Sequence, residues 1–422
     1  MTRPMIVAKW PTDIIAEKAS EHIREALPLL PPNDARTASL DGLRGIAILL
    51  VIVHNAGSVE GTLDGVPLKL WAIVSNAGWV GVQLFFALSG FLITRILLES
   101  KGQAYWLRHF YLRRILRIVP LYYAYLIFVF YVVPHVASLQ PLAGNLGISK
   151  AWYWLYLANW PTSHNGFNAA LPHVWSLAVE EQFYLIWPLV IACASEWMLA
   201  RVAIGTALVA LVTRAGLHAM FPEPIAETAA YAWTISRADA IVVGAFVALS
   251  LRHVRSFTWI RDRANSTMVA LTGGLVLSIA FQRGFPAGGM MADVVNKPLS
   301  SIVSALLVFY CVCGPLPPEQ RGQFQRALRW ILEKTWLRSI GKYSYAVYLL
   351  HMPVHACLRE HFRFMLVDGT ANSRFAGHVI YTVLVFVVAF LLSLTTWTLI
   401  EHPFLSLKQY LPMPVRSLGT AS

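Results

Sequence analysis

Residues 79–98 read WVGVQLFFALSGFLITRILL, twenty positions with a single charge, Arg95. A run of that length and apolarity crosses a hydrocarbon core of about 30 Å as an α-helix rising about 1.5 Å per residue. Similar runs recur on both sides of it, near residues 41–58, 115–134, 174–194, 201–219, 231–251, 265–282, 298–314, 340–358 and 379–400. The chain is therefore predicted to be an all-α integral membrane protein, with about ten transmembrane helices in one bundle. An eleventh stretch, 151–160, is rich in Trp and Tyr but about half the length a crossing needs, which predicts a short re-entrant or interfacial segment.

Composition points the same way. Of 422 residues, 57% are hydrophobic and 13% charged, against about 25% charged in soluble domains. That excludes a soluble globular enzyme and a disordered chain. The 34 Lys and Arg outnumber the 22 Asp and Glu by 12, an excess that belongs to loops facing a cytoplasm and calls for no nucleic-acid partner. With the N-terminus cytoplasmic, the clusters Arg95 to Arg117, Arg252 to Arg263 and Arg321 to Arg338 all fall inside, provided 151–160 does not cross. Arg359, Arg363 and Arg374 fall in the last outer loop, against this rule. The expected organisation is a cytoplasmic segment 1–37 without a cleavable signal peptide, a transmembrane domain 38–406 and a cytoplasmic tail 407–422. Cys193, Cys311, Cys313 and Cys357 lie within or beside apolar runs, so neither a disulfide framework nor a metal site is expected.

Ionisable side chains at membrane depth are costly and are functional candidates by default. In LDGLRGIAILLVIVHN (40–55), Asp41 and Arg44 suit a local ion pair, while His54 lies about 15 Å farther along the helix and can take a proton near neutral pH. In HVWSLAVEEQFYLIWPL (173–189), His173, Ser176, Glu180 and Tyr184 form one helical stripe, with Glu181 about 100° away from Glu180. YLRRILRIVPLYY (111–123) puts Arg113, Arg114 and Arg117 at the mouth of a span, a pattern that suits phosphate binding, lipid headgroups or topology alike. Arg237 and Asp239 of SRADAIVVGA (236–245) lie on different faces, each needing a partner on another helix. In IGKYSYAVYLLHMPVHA (340–356), Ser344, Tyr348, His351 and His355 share a face that suits either a substrate cavity or a helix contact.

Taken in order, LDGLRGIAILLVIVH, GWVGVQLFFALSGFLITRILL, YLRRILRIVPLYY, HVWSLAVEEQFYLIWPL, SRADAIVVGAFVA, IGKYSYAVYLLHMPV and IEHPF resemble the acyltransferase family 3 integral membrane proteins over roughly residues 38–406. The resemblance implies transfer of an acyl group, often acetyl, from cytoplasmic acyl-CoA to a hydroxyl of a glycan, lipid-linked saccharide or other envelope acceptor, at a bacterial inner membrane. It implies a stand-alone form without a fused SGNH domain. It implies His54 as the catalytic histidine, with Arg44 its motif partner and Glu180 and Glu181 the paired acids. Arg113, Arg114 and Arg117 would contact acyl-CoA, the donor substrate, with no bound cofactor or metal. His173, Ser176, Arg237, Asp239, Tyr348 and His351 are the expected acceptor-binding or cavity-lining groups.

Two departures from the family pattern bear on mechanism. Nine residues separate Arg44 from His54 where ten are usual, which turns the histidine about 80° from the arginine's face unless the helix bulges. Gln83 stands where an Asp is common, removing one charge partner. The main rival is a proton-coupled transporter using the same buried His, Glu and Arg, although the two halves show no inverted-repeat similarity.

Overall fold

The computed structural model describes residues 33–59, 63–142, 148–165, 171–282, 288–312 and 323–410. Most of the 1–37 segment and the tail from 411 onward lie outside the described residues. These form helices α1 (Asn33–Ala56), α2 (Val66–Ala77), α3 (Val80–Ser100), α4 (Trp106–Ile127), α5 (Lys150–Trp154), α6 (Val174–Cys193), α7 (Glu196–Met220) and α8 (Ile225–Ala232). They continue with α9 (Thr234–Ser250), α10 (Val254–Gln282), α11 (Lys297–Val312), α12 (Gln323–Leu332), α13 (Thr335–Lys342), α14 (Ser344–Val367) and α15 (Ala371–Thr396). No β-strand occurs among the described residues, and the protein is an all-α multi-pass membrane protein.

Each of the ten apolar runs lies on a helix, and eight described stretches are both long and apolar enough to cross a membrane. The other two, α10 and α14, have the length, at 29 and 24 residues. In α14 hydropathy is lowered by His351, His355, Arg359, Glu360 and Arg363, whereas in α10 Arg261, Asp262 and Arg263 precede the apolar run. Two helices were not foreseen, the ten-residue α12 and α2. Residues 66–77, too short to cross and carrying Pro67 and Lys69, read as loop, yet form α2, which turns directly into α3.

The 151–160 stretch does not cross. It is the five-residue α5 followed by turns, and it lies among the helices. Backbone at membrane depth needs partners from protein, because lipid offers none. Here Tyr122 and Tyr123 donate to the carbonyls of Tyr153 and Trp154 at 2.8 and 3.0 Å. Gln182 donates to that of Tyr156 at 2.8 Å, and the Trp233 indole to that of Trp160 at 3.0 Å.

α3 and α9 meet backbone to backbone. A side chain at Gly90 would overlap the Ile241 carbonyl, and one at Gly244 the Ala87 carbonyl, the close approach that small residues give membrane helices. This contact lays Arg237 of α9 against Phe86 of α3, with its guanidinium 5.7 Å from the ring centre.

Candidate active site

Within the bundle, α1, α3, α4, α6 and α14 enclose a cavity of about 100 Å³, room for about three waters at about 30 Å³ each. Arg44, Arg114, Arg117, Glu180, Glu181, Ser89, Ser176, Tyr184, Ser344, Tyr345 and Tyr348 supply its polar wall, and Phe85, Phe86 and Ile118 part of its apolar wall.

Glu180 is held by hydroxyls. Ser89 donates to Oε1 at 3.1 Å and Tyr184 to Oε2 at 3.0 Å. Among the described residues neither Glu180 nor Glu181 forms an ion pair. Arg44 binds Asp41 one turn away at 3.0 Å, and the Arg114 guanidinium lies 5.1 Å from the Tyr184 ring centre. Arg114 and Arg44 act on Glu180 through space, and Arg114 and Glu180 act on Glu181. The site thus keeps two carboxylates and three arginines around open space without pairing the one with the other, Arg44 being taken up by Asp41.

A polar seam leads from this cavity toward the end of the bundle that holds His54. Ser176 Oγ and Tyr348 OH are 2.5 Å apart, and Tyr348 donates to the His173 carbonyl at 3.0 Å. Pro353 has no N–H, so the Leu349 carbonyl one turn earlier lacks its helical partner. His173 Nε2 donates to it at 3.1 Å. The rings of His173 and His351 lie 5.2 Å apart. His351 Nδ1 donates to the Tyr348 carbonyl at 2.5 Å, which leaves Nε2 to accept from Asn55 Nδ2 at 3.3 Å. Both nitrogens of His351 are therefore committed.

His54 differs. Its Nδ1 lies 3.0 Å from the Ser75 carbonyl, one of the last carbonyls of α2. A carbonyl only accepts, so Nδ1 carries the proton and Nε2 holds the lone pair. Gly78 makes this approach feasible, since a side chain there would collide with the Leu50 carbonyl and with His54 N and Cβ. α1 is an unbroken α-helix without a bulge. Arg44 and His54 accordingly point apart, and each has its own partner.

The expected site residues fall in different surroundings. Arg114 and Arg117 line the cavity, but Arg113 is exposed and outside its lining. Ser176 and Tyr348 line it, whereas His173 and His351 stand in the seam beyond. Asp239 is taken up by Arg214 of α7 at 2.9 Å. Among the described residues Arg237 makes no ion pair; its guanidinium sits among the rings of Phe86, Trp175 and Tyr231 at 5.7, 5.4 and 5.7 Å. Neither residue lines the cavity. Gln83, in place of the common Asp, is fully buried with neither amide atom bonded.

Ser89, Tyr345 and the Ser75 carbonyl escaped the sequence reading. Ser89 had a signal, as a hydroxyl in the middle of a twenty-residue apolar run. The carbonyl had none.

Residues 37–397 match the acyltransferase domain family. The peptidoglycan O-acetyltransferase OatA of Listeria monocytogenes is 30% identical over 333 residues, 75% of this chain and 49% of that protein. The putative peptidoglycan O-acetyltransferase YrhL of Bacillus subtilis is 30% identical over 335 residues, 75% of this chain and 48% of that one. The O-acetyltransferase OatA of Staphylococcus aureus is 27% identical over 328 residues, covering 75% and 50%. The chain spans about half the length of the curated relatives it matches. No solved structure matches it.

Proposed function

Because the chain belongs to the acyltransferase family 3 membrane proteins, we propose that it is a membrane O-acyltransferase. It carries an acyl group, acetyl in the first instance, from cytoplasmic acyl-CoA to a hydroxyl of an envelope glycan or lipid-linked saccharide. The setting is the inner membrane, with both termini and the arginine mouth of the cavity on the cytoplasmic side. The names of the relatives, which refer to peptidoglycan O-acetylation, favour an envelope polysaccharide as acceptor.

The observation that carries this reading is the 3.0 Å contact of His54 Nδ1 with the Ser75 carbonyl. With Nδ1–H bound to the Ser75 carbonyl, Nε2 is a base ready to accept a proton. The arginines Arg114 and Arg117 hold the CoA phosphates, and the pantetheine arm runs along the seam toward His54. His54 Nε2 takes the proton of the acceptor hydroxyl as its oxygen attacks the thioester carbonyl carbon. The carbon–sulfur bond breaks, and the CoA thiolate takes the proton back from the imidazolium, leaving an ester and CoA thiol. The Ser75 carbonyl, which also accepts from Gly78 N–H at 3.1 Å, lies at the negative C-terminal end of α2, so the same contact stabilises the imidazolium. Glu180 and Glu181 orient the acceptor.

The test uses purified protein in vesicles with acyl-labelled acetyl-CoA and fractionated envelope glycans. Label is expected on a glycan, with CoA thiol released in equal amount. Flux of a solute without CoA release would point to the transporter instead.

A further inference from the structure

A second cavity, of about 390 Å³, lies away from the candidate active site, between α7, α9, α10 and α11. Ala207 of α7, Phe246 of α9 and Ala305 of α11 belong to its walls, and α10 adds Trp259, Arg263 and Thr267. Apart from Arg263 and Thr267, every lining side chain is aliphatic or aromatic. A buried water needs about two to four polar partners, and cavities that lack them stay dry and take apolar guests. Ile204, Leu208 and Trp259 line the space and are each more than half exposed. The cavity is therefore a groove open on the outer wall of the bundle, where the hydrocarbon of the membrane lies.

Arg263 is the only charged residue among those that line it. Its guanidinium lies 5.0 Å from the Trp259 ring centre, a cation–π contact that holds the group without neutralising it. Two neighbouring arginines are taken, Arg252 by Glu196 at 2.7 Å and Arg261 by Asp262 at 3.0 Å. Arg263 has no acidic partner among the described residues. It stands just before the apolar run 265–282, which places it at the level of lipid headgroups. From there the groove continues along Thr267 toward the hydrocarbon.

We propose that this groove is a binding site for an anionic glycerophospholipid, with one acyl chain lying against Phe246 and Ala305 and the headgroup phosphate paired with Arg263. A guanidinium offers a phosphate two parallel N–H donors. The surroundings favour a headgroup of net negative charge over a zwitterion. Residues 252–263 hold four arginines and one acid, Asp262, and α7 adds the acid Glu196. Basic pockets between membrane helices select anionic lipids in this way. The site is separate from the acyl-transfer reading and stands without it.

Lipid titrations of the purified, delipidated protein in detergent test it, with melting temperature and native mass spectrometry as the readouts. Phosphatidylglycerol is expected to raise the melting temperature saturably, as a ligand of the folded state does, and to stay bound in the mass spectrometer. Phosphatidylcholine with the same chains is expected to half-saturate at about tenfold higher concentration, for want of a net negative headgroup. Inorganic phosphate is expected to do neither. Arg263→Gln, at an exposed position, is expected to melt like the wild type without lipid and to erase the preference, the two lipids half-saturating within about twofold of each other. Arg261→Gln, which removes an arginine that has its own acid, is expected to keep the preference. Ala207→Phe, or Val243→Phe if the first does not insert, narrows the groove and is expected to weaken both lipids about tenfold. Equal half-saturation of the two lipids in the wild type, or an undiminished preference in Arg263→Gln, overturns the proposal. So does inorganic phosphate that stabilises as well as the lipid, or undiminished lipid binding in the narrowed groove.

Discussion

Around Asp239 and Asp293 every carboxylate has a cation within bonding distance, whereas around Glu180 and Glu181 none has. Asp239 binds Arg214 at 2.9 Å, and Asp293 binds both Lys297 and His218, the latter at 2.7 Å. Arg214, Asp293 and Lys297 are fully buried and Asp239 is 4% exposed. The Glu180 cluster has the same residue types, yet its arginines stay apart from its carboxylates and line a cavity with them. Ion-paired burial of this kind holds helices together, and removing one partner leaves an uncompensated charge. Charge left unpaired around a cavity is poised for something that enters it. Of the expected site residues, Asp239 belongs to the paired cluster, held by Arg214 and outside the lining of the cavity.

The largest effect that can break the contrast is at His54, beyond both clusters. His54→Ala is expected to lower turnover by about 10² to 10⁴, the usual contribution of a general base, with the protein still inserted and monodisperse in size-exclusion chromatography. Unchanged turnover would remove His54 from the chemistry. At the paired cluster, Asp239→Asn is expected to destabilise the bundle by about 3–5 kcal/mol, read as a lower melting temperature, with little change in turnover per folded molecule. Arg117→Gln sharpens the other side. A lost phosphate contact is expected to raise KM for acetyl-CoA about tenfold, or about 1.4 kcal/mol, with kcat nearly unchanged. Arg113→Gln, outside the cavity lining, is expected to shift KM by less than about twofold in the same assay.

Hydropathy made the helices legible, because a span must be apolar over a fixed length. It also showed that 151–160 is too short to cross. It hid α2, whose twelve residues carry Pro67 and Lys69 and follow neither pattern. Helical spacing put Ser176, Glu180 and Tyr184 on one stripe, and the structure keeps them together along the cavity. Spacing within one helix does not say which neighbour that stripe meets. Ser89 is 91 positions from Glu180 and Arg214 is 25 from Asp239, and only the packing of α3 on α6 and of α7 on α9 joins them. The orientation of His54 was the least legible feature, because its partner is a main-chain carbonyl that every residue possesses. Arg113, Arg114 and Arg117 read as one motif, yet only Arg114 and Arg117 line the cavity, and nothing in the helical spacing of the three separates Arg113 from them.

The central claim is that the unpaired cluster serves the reaction and the paired one serves the fold. Its most direct test is a matched pair of near-isosteric substitutions, Glu180→Gln and Asp239→Asn, with melting temperature and labelled acetyl transfer measured on the same preparations. Glu180→Gln is expected to keep the melting temperature and lose transfer, and Asp239→Asn to lose melting temperature and keep transfer per folded molecule. If both lower the melting temperature equally and neither alters transfer per folded molecule, the two clusters are alike and the claim fails.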